Sequence, residues 1–136
     1  MKVQHGTTAW FEMVGTLMTE AALQARLPPD FHVCLVERYI DGVDLGAGLV
    51  QGLRFEIVGG KPSFRLGVRR QERADITVEV SVAASRELNT LYSADPDFHA
   101  AFAKSQSDGE LKLDGDLALL GDWFGAVHDR IVDRTR

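Results

Sequence analysis

The sequence predicts an α+β fold in which helices lie on one face of a sheet. Three observations lead there. Apolar and polar side chains alternate in three runs between residues 53 and 82, the period of strands with one buried and one wet face. Apolar residues recur at spacings of three and four in residues 10–21 and again in 120–131, the period of a helical stripe. The patterns follow the order helix, strand, hairpin and further strand, two short helices, strand, helix.

Residues 8–27 read as a helix whose stripe is Trp10, Val14, Leu17, Met18 and Ala21, with Thr8 as its N-cap. Pro28 and Pro29 end it, because proline lacks the amide and restricts the residue before it. Residues 31–40 are rich in β-branched and aromatic types and read as a strand; 41–50, with Gly42, Gly46 and Gly48, read as a loop. Leu53, Phe55 and Ile57 then alternate with Arg54 and Glu56, and Gly59-Gly60 supply a tight hairpin turn. Phe64, Leu66 and Val68 form the returning strand, and Ile76, Val78, Val80 and Val82 the next. Ser85 is expected to cap a short helix carrying Leu88 and Leu91. Asp95-Pro96-Asp97 opens another, with a capping carboxylate, proline at the first position and an acid at the positive end of the dipole. Residues 110–114 alternate again, Gly115 turns the chain, and Asp116 is expected to cap a final helix carrying Leu120, Trp123, Phe124, Val127 and Ile131.

Composition narrows the function classes. The chain has 136 residues, one domain's worth, of which 45% are apolar and 26% charged. Its net charge of -5 opposes a polyanionic partner, so nucleic acid is not expected. The same charge weakens attachment to anionic lipid surfaces, and no apolar run approaches the ~20 residues that span a bilayer. A single cysteine, Cys34, suits a reducing compartment, and the segment from Met1 to Gly6 has no apolar signal run, so a cytoplasmic location is expected.

No motif points to a catalytic centre. The glycines between Gly46 and Gly52 are spaced one residue too long for a dinucleotide fingerprint and lead into a strand, where that fingerprint must open a helix. His5, His32, His99 and His128 are scattered without ligand spacing, so neither metal nor cofactor is expected. Cys34 lies in an apolar strand, where burial keeps a thiol inert. No serine occupies a Gly-x-Ser-x-Gly elbow, and Asp95, Asp97, Asp114 and Asp116 read as turn and cap residues. Arg65, Arg69, Arg70 and Arg73 read first as a charge-balanced wet face. The functional alternative is that Arg65 and Arg69 contact a ligand headgroup at a pocket mouth.

Several segments together resemble the sterol carrier protein-2 (SCP2-like) family. They are Phe55 to Gly60, the Ala74-Asp75 pair opening Ile76 to Val80, Leu88 to Leu91, Asp95-Pro96-Asp97, Asp108 to Leu113, Gly115-Asp116 and the stretch from Leu117 to Ile131. The resemblance is strongest over residues 53–132, within a single domain spanning 1–136, and residues 1–50 diverge from it. It implies a five-stranded, mostly antiparallel sheet with helices on one face and an apolar tunnel between the two layers. It also implies binding of fatty acids, fatty acyl-CoA or sterol-like lipids without catalysis. The apolar positions that match the implied lining are Phe64, Leu66, Val78, Val80, Phe102, Leu111, Leu113, Leu120, Phe124 and Val127.

Two other readings remain open at this point. In one, the chain is an accessory module that docks a partner protein or a second copy through its sheet edge or last helix, with no free ligand exchanged. In the other it is a small enzyme on an apolar substrate, which requires an internal Asp–His pair; Asp75, Asp116 and His128 are the residues to inspect.

Overall fold

A computed structural model describes residues 1–136. Helix α1 spans Thr8–Gln24 and is followed by three strands: β1, Val33–Tyr39; β2, Asp44–Gly46; β3, Leu49–Val58. Strand β4, Lys61–Arg69, completes the hairpin, and β5 is Ile76–Val80. Helices α2, Val82–Leu88, and α3, Pro96–Ser107, precede β6, Leu111–Asp114. A 3-10 turn at Leu117–Leu120 leads into α4, Trp123–Asp133.

The sheet has six strands where five were expected, because the 41–50 loop contributes the three-residue β2. Strand β3 pairs along one edge with β4. On its other edge it pairs with β1 over residues 52–57 and with β2 at Leu49 and Val50. Strand β5 lies on the far side of β1, and β6 beyond it. All pairings are antiparallel except β1 with β5. That parallel pair forces the β4–β5 connection to pass over β3 and β1.

The two faces of the sheet are covered differently. Leu53, Phe55 and Ile57 of β3 align in register with Glu37, Leu35 and Val33 of β1, and this row faces the helices. The opposite face carries a small separate cluster of Val36, Val50 and Val68, against which Ala74 of the β4–β5 connection packs. Glu72 fastens that connection down. Its carboxylate accepts from Arg54 at 2.9 Å and from Arg65 at 2.7 Å, while its carbonyl accepts from the Arg38 guanidinium at 2.6 Å. Burial pushes the Glu72 carboxyl up, but the Arg69 backbone N–H and the two guanidiniums outweigh it and hold the group below its usual range.

Helix α1 lies across β4 and β3 and against α4. Gly15 permits that approach, since a Cβ there would stand 2.4 Å from the Phe64 ring. The Trp10 indole donates to Thr135 Oγ1 at 2.9 Å, and Val3 bridges to Thr135, so the two chain ends are tied together beside α1.

Helix boundaries differ from the sequence reading where a neighbouring hydroxyl or glycine competes. Thr7, not Thr8, is extended and accepts from the Trp10 N–H at 3.2 Å, and α1 ends at Gln24, ahead of the prolines. Helix α2 starts four residues earlier than expected. Ser81 accepts from the Ala84 N–H at 3.0 Å and Asp41 accepts from Val82 at 2.8 Å, which together satisfy two of the orphan amides at that end. Leu91 therefore falls after α2, and Val82 falls inside it. Asp116 does cap, but only the 3-10 turn. Gly121, at φ 106, breaks the run before α4 because that backbone region is open to glycine and strained for other residues. No helix is long and apolar enough to cross a membrane.

Candidate functional site

Sheet and helices do not close completely on one another. A cavity of about 310 Å³ lies between them, and fifteen of its twenty-one lining residues are hydrophobic. Its floor is the sheet: Leu35 and Glu37 of β1, Val78 and Val80 of β5, Leu111 and Leu113 of β6. Helix α1 contributes Trp10, Val14 and Met18 to the wall; α2 contributes Ser85 and Leu88. Helix α3 adds Phe98 and Phe102, and α4 adds Phe124, Val127, His128 and Ile131.

Alternation explains why these side chains meet. On β5, Val78 and Val80 point the same way, and their partners Leu113 and Leu111 on β6 follow them across the ladder. Phe124, Val127, His128 and Ile131 recur at three- and four-residue spacing and so share one side of α4. The α2–α3 connection is strapped over this region. Asp129 accepts from the Ser93 N–H and hydroxyl at 2.8 and 2.9 Å, Tyr92 donates to Asp133 at 2.6 Å, and the His128 imidazole bonds the Leu91 carbonyl at 2.8 Å.

Seven of the ten apolar positions named from the sequence line the cavity: Val78, Val80, Phe102, Leu111, Leu113, Phe124 and Val127. Phe64 and Leu66 sit on the helix side of β4 but pack against the core away from the cavity, with the Phe64 ring taken up by α1 at Gly15. Leu120 is 0% exposed and belongs to the core, outside the lining. Arg65 and Arg69 are a correction. Both border an open depression on the opposite face of the sheet, with Arg54, Arg70 and Glu72, and the Arg65 guanidinium is engaged by Glu72. For Arg65 the reason is the pleat itself: with Phe64 on the helix side, Arg65 must point away; Arg69 lies at the end of β4 beyond a register shift, with its guanidinium beside Gly48. Neither residue lines the cavity.

The residues that sequence reasoning missed are mostly those shared between core and cavity: Trp10, Val14, Met18, Leu35, Leu88 and Phe98. Helical and strand periodicity flagged several of them as apolar, but periodicity does not separate filled space from open space. Glu37 was missed for another reason. It falls in step with Val33, Leu35 and Tyr39, which marks the helix side, but Val36 on the other face is equally apolar and conceals the parity.

The polar groups of the lining are few. Ser85 Oγ lies 3.0 Å from His5 Nε2, whose other neighbour is the Tyr39 hydroxyl at 3.1 Å. Burial, with a smaller push from Arg86, lowers His5 to about 4, so the imidazole is neutral at pH 7. Glu37 sits between Leu53 and Val78 in the ladders, and desolvation alone raises its pKa. The area it leaves uncovered opens into the cavity. Asp75, Asp116 and His128 do not converge: Asp75 accepts from the Cys34 N–H, Asp116 caps Ala118, and His128 bonds Leu91. Nor does the structure contain a cluster of three potential metal ligands.

No family model and no curated protein matches the sequence. Solved structures do match the fold. A crystal structure of sterol carrier protein 2 superposes with a TM-score of 0.53 at 17% identity, covering 94% of this chain and 97% of that one. The SCP2 structure of a ubiquinone synthesis protein, UbiJ, gives 0.47 at 16% identity over 90% and 92% of the two chains. Sterol carrier protein domain 2 of Helicoverpa armigera gives 0.45 at 14% identity over 94% and 89%. The chain is thus an α+β protein with the SCP2-like arrangement of sheet and helices. At 17% identity that likeness speaks to the fold alone.

Proposed function

We propose that the protein binds and carries an apolar, lipid-like metabolite in the cavity between sheet and helices, without catalysing its conversion. The observation that carries this reading is the cavity itself: about 310 Å³ of space walled by hydrophobic side chains from the sheet and all four helices. A purely structural core would close, since each lining atom without a neighbour forfeits dispersion energy. The match in fold to sterol carrier protein 2 supports the same reading. A docking module without a ligand has no use for this space, which favours carriage over the accessory alternative.

Size sets the scale of binding. The volume holds roughly ten water-sized groups. At ~0.8 kcal/mol per buried methylene, that is on the order of 8 kcal/mol gross, less the ~4 or more lost to immobilisation. The outcome is weak, exchangeable binding, as a carrier requires. A longer chain, as in the fatty acyl and sterol-like ligands of the family resemblance, must extend through the opening or displace part of the wall.

Two measurements test this. Native mass spectrometry of freshly purified protein is expected to show a co-purifying lipid mass. Delipidated protein is expected to bind naphthalene, a fluorescent bicyclic hydrocarbon of matching size, and Phe124→Asp to lose at least tenfold in affinity. Phe124 is half-buried on α4, so the variant is expected to stay folded, as circular dichroism would verify. Undiminished binding by the folded variant would refute the site.

A further inference from the structure

Every polar side chain lining the cavity except one is already engaged within the protein. Ser85 bonds His5, Asn89 donates to the Ser85 carbonyl at 2.7 Å, Ser93 donates to Asp129, and His128 bonds the Leu91 carbonyl. The exception is Glu37. It lies on the β1 side of the floor, between Leu53 of β3 and Val78 of β5, with no hydrogen bond and no ion pair to its carboxyl. Lysine and arginine are absent from the lining, so nothing in the cavity balances a negative charge.

Resting on the carrier reading above, we propose that Glu37 is the polar recognition group of the cavity, and that the ligand meets it with a hydrogen-bond donor, a hydroxyl, so that the site takes apolar alcohols in preference to carboxylates. An isolated buried polar group costs stability unless it is bonded, so an acid kept in an apolar floor marks a place where a ligand completes the bond. A hydroxyl suits that place. It is inexpensive to desolvate and can donate to the carboxyl or accept from it. A ligand carboxylate is the poorer partner, because it brings a charge into a cavity with no cation to offset it, and it repels Glu37 whenever both carboxyls are ionised. If instead a carboxylate ligand turns its tail inward, Glu37 is left against methylenes and the cost remains.

The test is a set of NMR titrations of the 15.0 kDa protein with three matched probes: 1-octanol, sodium octanoate and 1-methoxyheptane, an ether of equal size that cannot donate. For the wild type, 1-octanol is expected to bind at least tenfold more tightly than octanoate and several-fold more tightly than the ether. Glu37→Leu is expected to erase the preference for alcohol over ether while still binding both. Glu37→Gln, which keeps the shape and hydrogen-bonding capacity, is expected to retain the preference for alcohol over ether and to admit octanoate more readily. Wild-type ratios in Glu37→Leu, or equal binding of octanol and octanoate by the wild type, would overturn the role of Glu37 while leaving the carrier reading standing. Failure of all three probes to bind any of the proteins would remove the carrier reading and this inference with it.

Discussion

Lowering the pH is expected to destabilise the protein through His5, and the size of the effect follows from its surroundings. The imidazole is 7% exposed, 3.0 Å from Ser85 Oγ and 3.1 Å from the Tyr39 hydroxyl, and edge-on to Trp10 with ring centroids 4.6 Å apart. Burial first, and Arg86 second, lower its pKa from 6.5 to about 4. The unfolded chain therefore takes up a proton below pH 6.5 that the folded protein refuses until about pH 4. The stability this contributes is complete above pH 6.5 and is lost as the pH falls toward 4. At ~1.4 kcal/mol per tenfold change in the proton equilibrium, the upper bound is ~3.5 kcal/mol, which solvent screening trims to ~2 kcal/mol. Glu37 acts in the opposite sense: its pKa lies above the ordinary 4.5, so its contribution is present at low pH and is lost as the pH rises. The His5 effect must therefore be isolated by difference. Urea denaturation of the wild type and His5→Phe at several values between pH 7 and pH 4 does this, because the variant keeps the ring bulk and leaves Glu37 in place. The wild type is expected to lose ~2 kcal/mol relative to His5→Phe across that range. A difference that stays constant with pH would refute the assignment.

Two further predictions concern packing on either face of the sheet. Gly15→Ala brings a methyl to within 2.4 Å of the Phe64 ring, so the ~1 kcal/mol gain in helix propensity is outweighed by overpacking of ~1–3 kcal/mol. The thermal midpoint is expected to fall, and a rise would mean that Phe64 is seated elsewhere. Glu72→Ala removes the common acceptor of Arg54 and Arg65 and loosens the β4–β5 connection, at a cost of ~1–2 kcal/mol in urea denaturation. Because that network lies on the far side of the sheet from the cavity, 1-octanol affinity is expected to stay within about twofold of wild type. A large loss of affinity would show that the two faces are coupled.

The amino-acid sequence by itself determined the α+β class and the existence and type of nearly every element. Period-two alternation in Leu53 to Ile57 and Ile76 to Val80, and the Asp95-Pro96 helix start, are local signals that need no partner to be read. The same alternation identified which side chains of β5 and β6 share a face, and the structure places them together on the cavity floor. Tertiary structure decided what local signals do not encode. Ser81 rather than Ser85 caps α2 because Ser81 Oγ reaches the Ala84 amide and Asp41 arrives from forty-one residues away at the Val82 amide. Arg65 and Arg69 border a depression apart from the cavity because the cavity's side is chosen by where the helices pack, which is long-range. The open volume, and Glu37 unpartnered in its lining, arise from a mismatch between packed layers. An apolar pattern reads the same whether the layers meet or leave a gap, so only the folded geometry could show it.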